Sequence, residues 1–195
     1  MSNKYVTTPS AEGIAASAQA AKGKNKGLPP VHLWNPDFSG DLDMRIARDG
    51  TWFYLGTPIT RPGLVRLFST ILKREGDDYF LVTPVEKVGI TVDDAPFVAV
   101  DFEVTGTGGA QALSFETNVG DTVTAGADNP IRVERDADTG EPSPYVMVRA
   151  GLEALVDRKS FYRLVDIGAH HDSWFGLWSD GEFFRMIPSD ELPEG

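Results

Sequence analysis

The feature that most constrains the fold is an internal repeat of three short blocks that recur in the same order. The matched pairs are residues 45–49 with 132–136, residues 61–64 with 149–152, and residues 79–82 with 162–165. In each copy, alternating apolar residues enter a turn and a stretch with helical apolar spacing follows. The repeat therefore predicts a unit of β-hairpin, helix and strand that occurs twice in tandem.

The first copy carries the clearer local signals. The dipeptide Asp49-Gly50 predicts a hairpin, because glycine readily adopts the positive φ that a tight turn requires. Gly76 is predicted to end the helix that follows. In the second copy the helix is predicted over residues 149–158. The alignment makes Leu64 and Leu152 equivalent, buried positions on these two helices.

Outside the repeat, the chain has the pattern of short strands separated by turn residues. The predicted strands are residues 97–104, 112–117, 174–178 and 183–187, and the last two are predicted to be joined by a turn at Asp180-Gly181. Strands do not alternate regularly with helices, which disfavours a doubly wound parallel sheet. The predicted fold class is α+β, with two similar tandem halves and mainly antiparallel sheets.

Three segments are predicted along the chain. Residues 1–27 form a flexible N-terminal tail with a short helix, because a basic, glycine-containing stretch separates that helix from the body. Residues 28–127 form the first α+β half, and residues 128–195 form the second. The N-terminal stretch lacks the leucine-rich core of a signal peptide, so a cytoplasmic location is expected.

Charge and cysteine content exclude several classes of protein. The 195 residues include 18 Lys and Arg against 29 Asp and Glu, a formal net charge of −11. Neither nucleic acid nor an anionic membrane is an expected partner, since both attract basic surfaces. With no cysteine, the chain can form neither a disulfide nor a thiolate metal site. No cofactor is predicted, and the protein partner is left open.

Two short segments resemble a metal site and a phosphate-binding loop only superficially. His170, His171 and Asp172 are adjacent, and adjacent side chains of an extended segment point in opposite directions, so no metal site is predicted. The glycine-rich residues 105–109 are followed by a strand rather than a helix, which favours a hairpin loop over a phosphate-binding loop. No catalytic residue is assigned.

The candidate ligand-binding residues are charged, amide and aromatic side chains. Arg61 and Arg149 recur at the start of the two predicted helices, where a cation opposes the helix dipole and calls for an anionic partner. The full set is Arg61, Arg149, Lys87, Asn118, Asp121 and Trp52. These side chains are expected to face a cleft between the two halves. In the alternative interpretation, the arginines pair with nearby carboxylates and Trp52 is an ordinary core residue.

Five longer runs of residues carry a resemblance to a known family: 48–54, 58–68, 79–87, 94–97 and 117–121. Together they resemble the proteobacterial family of unknown function DUF1285. The resemblance covers residues 28–190 and implies an α+β core built by duplication, with a second half superficially similar to pleckstrin-homology folds. It also implies a small-ligand site between the halves, suited to a nucleotide-like molecule in signalling. The family has no established reaction.

Three functions therefore remain under consideration. The first is a cytoplasmic ligand-binding or regulatory protein whose site lies between similar halves. The second is an enzyme that uses the loop carboxylates Glu86 or Asp121 as general acid or base. The third is a protein-interaction module that presents an open sheet edge.

Overall fold

The computed structural model describes residues 8–23 and 26–193. The chain forms two compact units, unit 1 (Met1–Asp93) and unit 2 (Asp94–Gly195). The described residues contain fifteen strands and three α-helices. The predicted α+β class with tandem halves and few helices is confirmed.

Unit 1 contains one six-stranded sheet and two helices. Its elements are α1 (Ala11–Lys22), β1 (Phe38–Ile46), β2 (Trp52–Tyr54), β3 (Thr57–Pro58), α2 (Pro62–Thr70), β4 (Leu72–Glu75), β5 (Asp78–Val82) and β6 (Lys87–Val92). The strand order is β3-β2-β1-β6-β5-β4. Each group of three consecutive strands is an antiparallel meander, and β1 joins β6 in parallel at the centre.

Unit 2 contains a six-stranded sheet, one helix and a smaller sheet. Its elements are β7 (Phe97–Thr105), β8 (Ala112–Thr117), β9 (Thr122–Thr124), β10 (Ile131–Arg135), β11 (Pro142–Arg149), β12 (Leu152–Val156), α3 (Arg158–Asp166), β13 (Ala169–His171), β14 (Trp174–Ser179) and β15 (Glu182–Pro188). The large sheet has the order β10-β11-β12-β7-β8-β9, and β13-β14-β15 form the small one. Here β7 joins β12 in parallel at the centre of the large sheet.

The two large sheets share one connectivity. In each, two antiparallel three-stranded meanders are joined through a parallel pair formed by the first and the last of the six strands. The predicted boundary after residue 127 differs from this arrangement, because it falls between β9 and β10 and would divide one hydrogen-bonded sheet. The boundary between the compact units along the chain falls instead between Asp93 and Asp94.

The residue-by-residue alignment of the repeat is wrong, although the halves are similar. Residues 61–64 begin α2, whereas residues 149–152 run from the end of β11 into β12. Ala150 and Gly151 have φ of 45° and 78° and form the two-residue turn between these strands. Leu152 is therefore a buried strand residue, and Leu64 is a half-buried helix residue. Leu152, Leu155 and Val156 are spaced as on a helix, but a segment of this length suits a buried strand as well, which explains the error.

The end of α2 also differs from the prediction. The helix stops at Thr70, and Leu72 begins β4. Gly76 has a φ of 61° and lies in the tight turn between β4 and β5, where Glu75 pairs with Asp78. Gly76 thus serves a hairpin rather than a helix end, because the left-handed conformation that suits it occurs in both settings.

Several predicted hairpins are confirmed. Ile46 pairs with Trp52 across the Asp49-Gly50 turn, and Asp49 accepts a hydrogen bond from the Thr51 backbone. That hydrogen bond, with one from the Thr51 hydroxyl, lowers the pKa of Asp49. Ser179 pairs with Glu182 across a two-residue turn. Thr105 ends β7, and residues 106–109 belong to the loop between β7 and β8.

The N-terminal helix is present but is not a loosely tethered tail. Ile14 and Ala18 are fully buried, and α1 packs against α2 in unit 1. The Ala11 backbone N–H also donates to the Tyr54 hydroxyl at 3.3 Å. Lys4 and Lys24, which contribute to the predicted basic segment, lie outside the described residues. In the part of the chain that the structure describes, no helix has the length and apolar character needed to cross a membrane.

Candidate functional site

Two of the predicted site residues lie on the surface of unit 1, in different settings. Arg61 immediately precedes α2 and is exposed, and it forms no ion pair with any residue that the structure describes. Lys87 begins β6, and its Nζ lies 2.6 Å from a Glu75 carboxylate oxygen and 4.4 Å from the centre of the Phe80 ring. The hydrogen bond from Lys87 lowers the pKa of Glu75.

Trp52 lies in the core of unit 1. Only 1% of the residue is exposed, and its ring stacks on Phe68 with the ring centres 6.1 Å apart. Its indole Nε1 has no hydrogen-bond partner among residues 8–23 and 26–193. Because no face of the ring is open to solvent, Trp52 is a core residue rather than a stacking surface for a ligand.

Three predicted site residues lie near one another in unit 2. The Arg149 guanidinium lies 2.5 Å from the Asp121 carboxylate and 5.0 Å from the centre of the Phe97 ring. Asn118 lies on the same β8–β9 turn as Asp121, and its side-chain oxygen accepts a hydrogen bond from the Val98 backbone N–H. The structure therefore gives Arg149 a carboxylate partner within the protein.

The turn that carries Asn118 and Asp121 is held by its own hydrogen bonds. The Asp121 backbone N–H donates to the Thr117 hydroxyl at 3.1 Å, and Gly120 adopts a φ of 87°. This loop is the hairpin turn that joins the antiparallel strands β8 and β9. The other loop carboxylate considered for catalysis, Glu86, lies in the turn between β5 and β6.

The histidines of β13 make separate contacts. His170 Nδ1 lies 2.8 Å from the Ser189 hydroxyl, and His171 Nε2 lies 3.2 Å from an Asp172 carboxylate oxygen. Among the described residues, no three His, Cys, Asp or Glu side chains come together in a group that could hold a metal ion.

An open cleft of about 700 Å³ lies in unit 2 along β10 and β15, and sequence reasoning missed it. The lining residues that bear on binding are Arg132, Arg135, Trp174, Phe183, Arg185 and Glu191. We refer to this site as the β10–β15 cleft. It combines guanidinium groups with aromatic rings, a combination that suits a planar or anionic ligand.

The strand pairing of the small sheet places its aromatic residues beside Arg185. Phe183 and Arg185 are two residues apart on β15, so their side chains share one face. The Arg185 guanidinium lies 5.2 Å from the centre of the Trp174 ring. Phe183 packs across Gly176, where an added Cβ would lie 2.1 Å from the Phe184 carbonyl oxygen. A larger residue than glycine at position 176 would therefore disturb this face.

The arginines of the cleft differ in their partners. Arg132 donates from Nε and Nη2 to the two Glu153 oxygens, each at 2.7 Å. These hydrogen bonds raise the pKa of Arg132. Arg135 contacts Glu191 at 2.5 Å. Arg185 lines the cleft and makes no ion pair within the described part of the chain.

A sequence signal for this site did exist. The turn at Asp180-Gly181 predicts the β14–β15 hairpin, and alternation along its second strand then puts Phe183 and Arg185 on one face. What the sequence does not show is that β10, about fifty residues earlier, lies alongside this hairpin.

The fold defines a class of α+β protein in which two units each contain a six-stranded sheet with the same strand connectivity. The model for the N-terminal domain of unknown function DUF1285 matches residues 29–95. The model for the C-terminal domain of the protein of unknown function DUF1285 matches residues 96–186. The chain belongs to the DUF1285 family, as its sequence motifs suggest.

Two solved structures are similar to the chain. A DUF1285 family protein from Silicibacter pomeroyi DSS-3 is 67% identical, with a TM-score of 0.87 over 93% of this chain and 98% of that one. A DUF1285 family protein from Shewanella baltica OS155 is 31% identical, with a TM-score of 0.51 over 64% of this chain and 91% of that one. No curated protein matches the chain.

Proposed function

We propose that the protein is a cytoplasmic ligand-binding or regulatory protein that binds a small, anionic, nucleotide-like molecule in the β10–β15 cleft of unit 2. The proposal rests on the position of the Arg185 side chain and on its lack of an ion-pair partner among the described residues. Its guanidinium lies on the Trp174 ring in an open cleft and has no carboxylate partner among the described residues. In signal transduction, occupancy of this cleft would report the concentration of the ligand.

The net negative charge of the chain does not prevent such binding. A formal net charge of −11 repels an anion at long range. That repulsion between exposed charges is screened beyond about 8 Å at physiological salt. At contact, a guanidinium donates charge-assisted hydrogen bonds to a phosphate or carboxylate. The local donors of Arg185 therefore decide affinity in the cleft.

The aromatic residues add a preference for a planar group. Trp174 and Phe183 line the cleft, and Phe183 also packs on Trp178 with ring centres 5.1 Å apart. A purine or pyrimidine ring can stack on an aromatic ring or on a guanidinium plane. A ligand with one planar ring and one anionic group matches both features, which is why a nucleotide is the favoured class.

Isothermal titration calorimetry with adenosine 5′-monophosphate tests the proposal, with adenosine as the uncharged comparison. We expect Arg185→Gln to weaken binding of the nucleotide about ten-fold or more, as the loss of a charge-assisted hydrogen bond implies. Adenosine binding should change less than about two-fold, because it has no anionic group and Trp174 and Phe183 remain as stacking surfaces for its base.

Arg61→Gln is the matched control. Arg61 is also exposed and without an ion pair in the described residues, but it lies in unit 1 beside α2. Its replacement should leave the affinity for the nucleotide unchanged. Equal affinity in wild type and Arg185→Gln would refute the proposed site, and a loss confined to Arg61→Gln would support the residues predicted from the sequence instead.

A further inference from the structure

Glu191 forms an ion pair with Arg135, one of the arginines that line the β10–β15 cleft. Arg135 Nη1 donates to a Glu191 carboxylate oxygen at 2.5 Å, and the two side chains are 40% and 52% exposed. Arg132 differs, because its guanidinium donates hydrogen bonds to both carboxylate oxygens of the buried Glu153. Among the described residues, Arg135 is therefore held by a single, solvent-exposed ion pair.

The segment that carries Glu191 is anchored at its other end. A 3-10 turn over Ser189–Glu191 follows β15 directly. The Ser189 backbone N–H donates to the Ser173 carbonyl at 2.9 Å, and the Ser189 hydroxyl lies 2.8 Å from His170 Nδ1. Backbone and hydroxyl contacts thus fix the start of the turn, so the Glu191 carboxylate can leave Arg135 without release of the segment.

We infer that Glu191 is a specificity-determining residue, an internal carboxylate that competes with the ligand's anionic group for Arg135. This inference rests on the proposed function, since it concerns the same cleft. A ligand that uses Arg135 must first displace Glu191. This displacement lowers the ligand's affinity by a factor of one plus the equilibrium ratio of paired to unpaired Arg135. For an exposed ion pair that factor is about two to six.

The competition favours a particular class of anion. A ligand carboxylate offers Arg135 the same group that Glu191 already provides from within the chain, where its effective concentration is high. A phosphate carries up to two charges and can accept two parallel hydrogen bonds from the guanidinium fork. The cleft should therefore accept phosphate groups in preference to single carboxylates.

The test is a titration with inorganic phosphate, acetate and adenosine 5′-monophosphate, followed by NMR of the arginine side-chain N–H groups and of the cleft amides. Wild type is compared with Glu191→Gln. We expect Glu191→Gln to bind phosphate and the nucleotide about two- to six-fold more tightly than wild type. Acetate should be a weaker ligand than phosphate for wild type.

Asp190→Asn is the matched control, because it removes the same charge one residue away. Asp190 is exposed and forms no ion pair in the described part of the chain. Its replacement should change phosphate affinity by less than about 1.5-fold, since screening weakens exposed charges that do not touch the ligand. Equal gains in both variants, or no gain in Glu191→Gln, would overturn the role of Glu191.

The outcomes also separate this inference from the proposed function. If the nucleotide binds wild type and Glu191→Gln equally, the ligand site stands and the competition is refuted. If the nucleotide binds neither protein but phosphate binds Glu191→Gln more tightly, Glu191 keeps its role and the nucleotide proposal fails. If neither the nucleotide nor phosphate binds either protein, both are overturned. Thermal unfolding without ligand verifies that each variant is folded.

Discussion

Replacing Glu153 should destabilise the β10–β12 meander far more than replacing Glu134, although both carboxylates contact Arg132. Glu153 is 9% exposed on β12 and accepts two hydrogen bonds of 2.7 Å from the guanidinium. Glu134 makes one contact of 2.5 Å, with 62% of its side chain exposed. The guanidinium also lies 4.3 Å from the centre of the Tyr145 ring. Glu153 thus fixes an arginine of β10 that contacts both β11 and β12, while 45% of the Arg132 side chain stays exposed.

The expected magnitudes follow from exposure and geometry. Glu153→Gln keeps the side-chain volume but removes the charge and one of the two acceptors. Hydrogen bonds to charged groups contribute about 1.5–3 kcal/mol each, so the free energy of unfolding should fall by about 2 kcal/mol. Glu134→Gln should cost less than about 1 kcal/mol, the usual limit for an exposed ion pair.

Native-state hydrogen exchange of the β10–β12 backbone amides measures these free energies in the unit where the change is made. A cycle with Arg132→Gln, alone and combined with each glutamate variant, isolates the two pairings. The coupling energy should be larger for Arg132 with Glu153 than with Glu134. Equal coupling, or a larger value for Glu134, would refute the argument that burial and two-point contact decide the strength of this pair.

Three further predictions concern other elements. Leu55 has a φ of 50° in the β2–β3 turn and is 65% exposed, so Leu55→Asn should stabilise unit 1 by about 1 kcal/mol in urea unfolding. Leu152→Ala should cost about 2–5 kcal/mol because Leu152 is 1% exposed, whereas Leu64→Ala at a half-buried position should cost clearly less. The lowered pKa of Glu75 contributes stability above the ordinary glutamate value of about 4.3, which is lost as pH falls through the folded-state pKa. In acid titrations of unfolding, Glu75→Gln should reduce this pH dependence.

The sequence predicted those elements of the fold that depend on local signals. The hairpins at Asp49-Gly50 and Asp180-Gly181 follow from turn residues whose backbone conformation is nearly obligatory. The class of the fold follows from short alternating strands without crossover helices. Residues 149–158 were assigned wrongly because Leu152, Leu155 and Val156 are spaced by three and four residues, as on one face of a helix, although the segment forms β12.

The candidate site was less accessible, because it depends on contacts distant in sequence. Arg149 was singled out as the start of a helix, but it ends β11 and pairs with Asp121. Arg185 carried no comparable signal, since an arginine in an alternating strand is common on any exposed face. Its relevance comes from β10 lying near β15 and from Trp174 beneath its guanidinium, neither of which a local pattern reports.

The two large sheets share a charge arrangement that a comparison of residue identities cannot detect. In unit 1, Glu75 on β4 pairs with Lys87 on β6, and Lys87 lies over the ring of Phe80 on β5. In unit 2, Arg132 on β10 pairs with Glu153 on β12 and lies over the ring of Tyr145 on β11. The second meander of each sheet therefore carries a cation, an aromatic ring and a carboxylate across its three strands, with the two charges exchanged.

This exchange leads to a last prediction, because an arrangement that exists in both polarities should tolerate reversal in unit 1. Glu75→Lys and Lys87→Glu, made singly, each place like charges together and should destabilise unit 1 by about 1 kcal/mol. The double variant restores opposite charges across Phe80 and should recover at least half of the summed loss. Urea unfolding of the three variants measures this recovery. Losses that simply add would show that the pairing is not transferable, and that Lys73, 3.3 Å from Glu75, fixes the polarity instead.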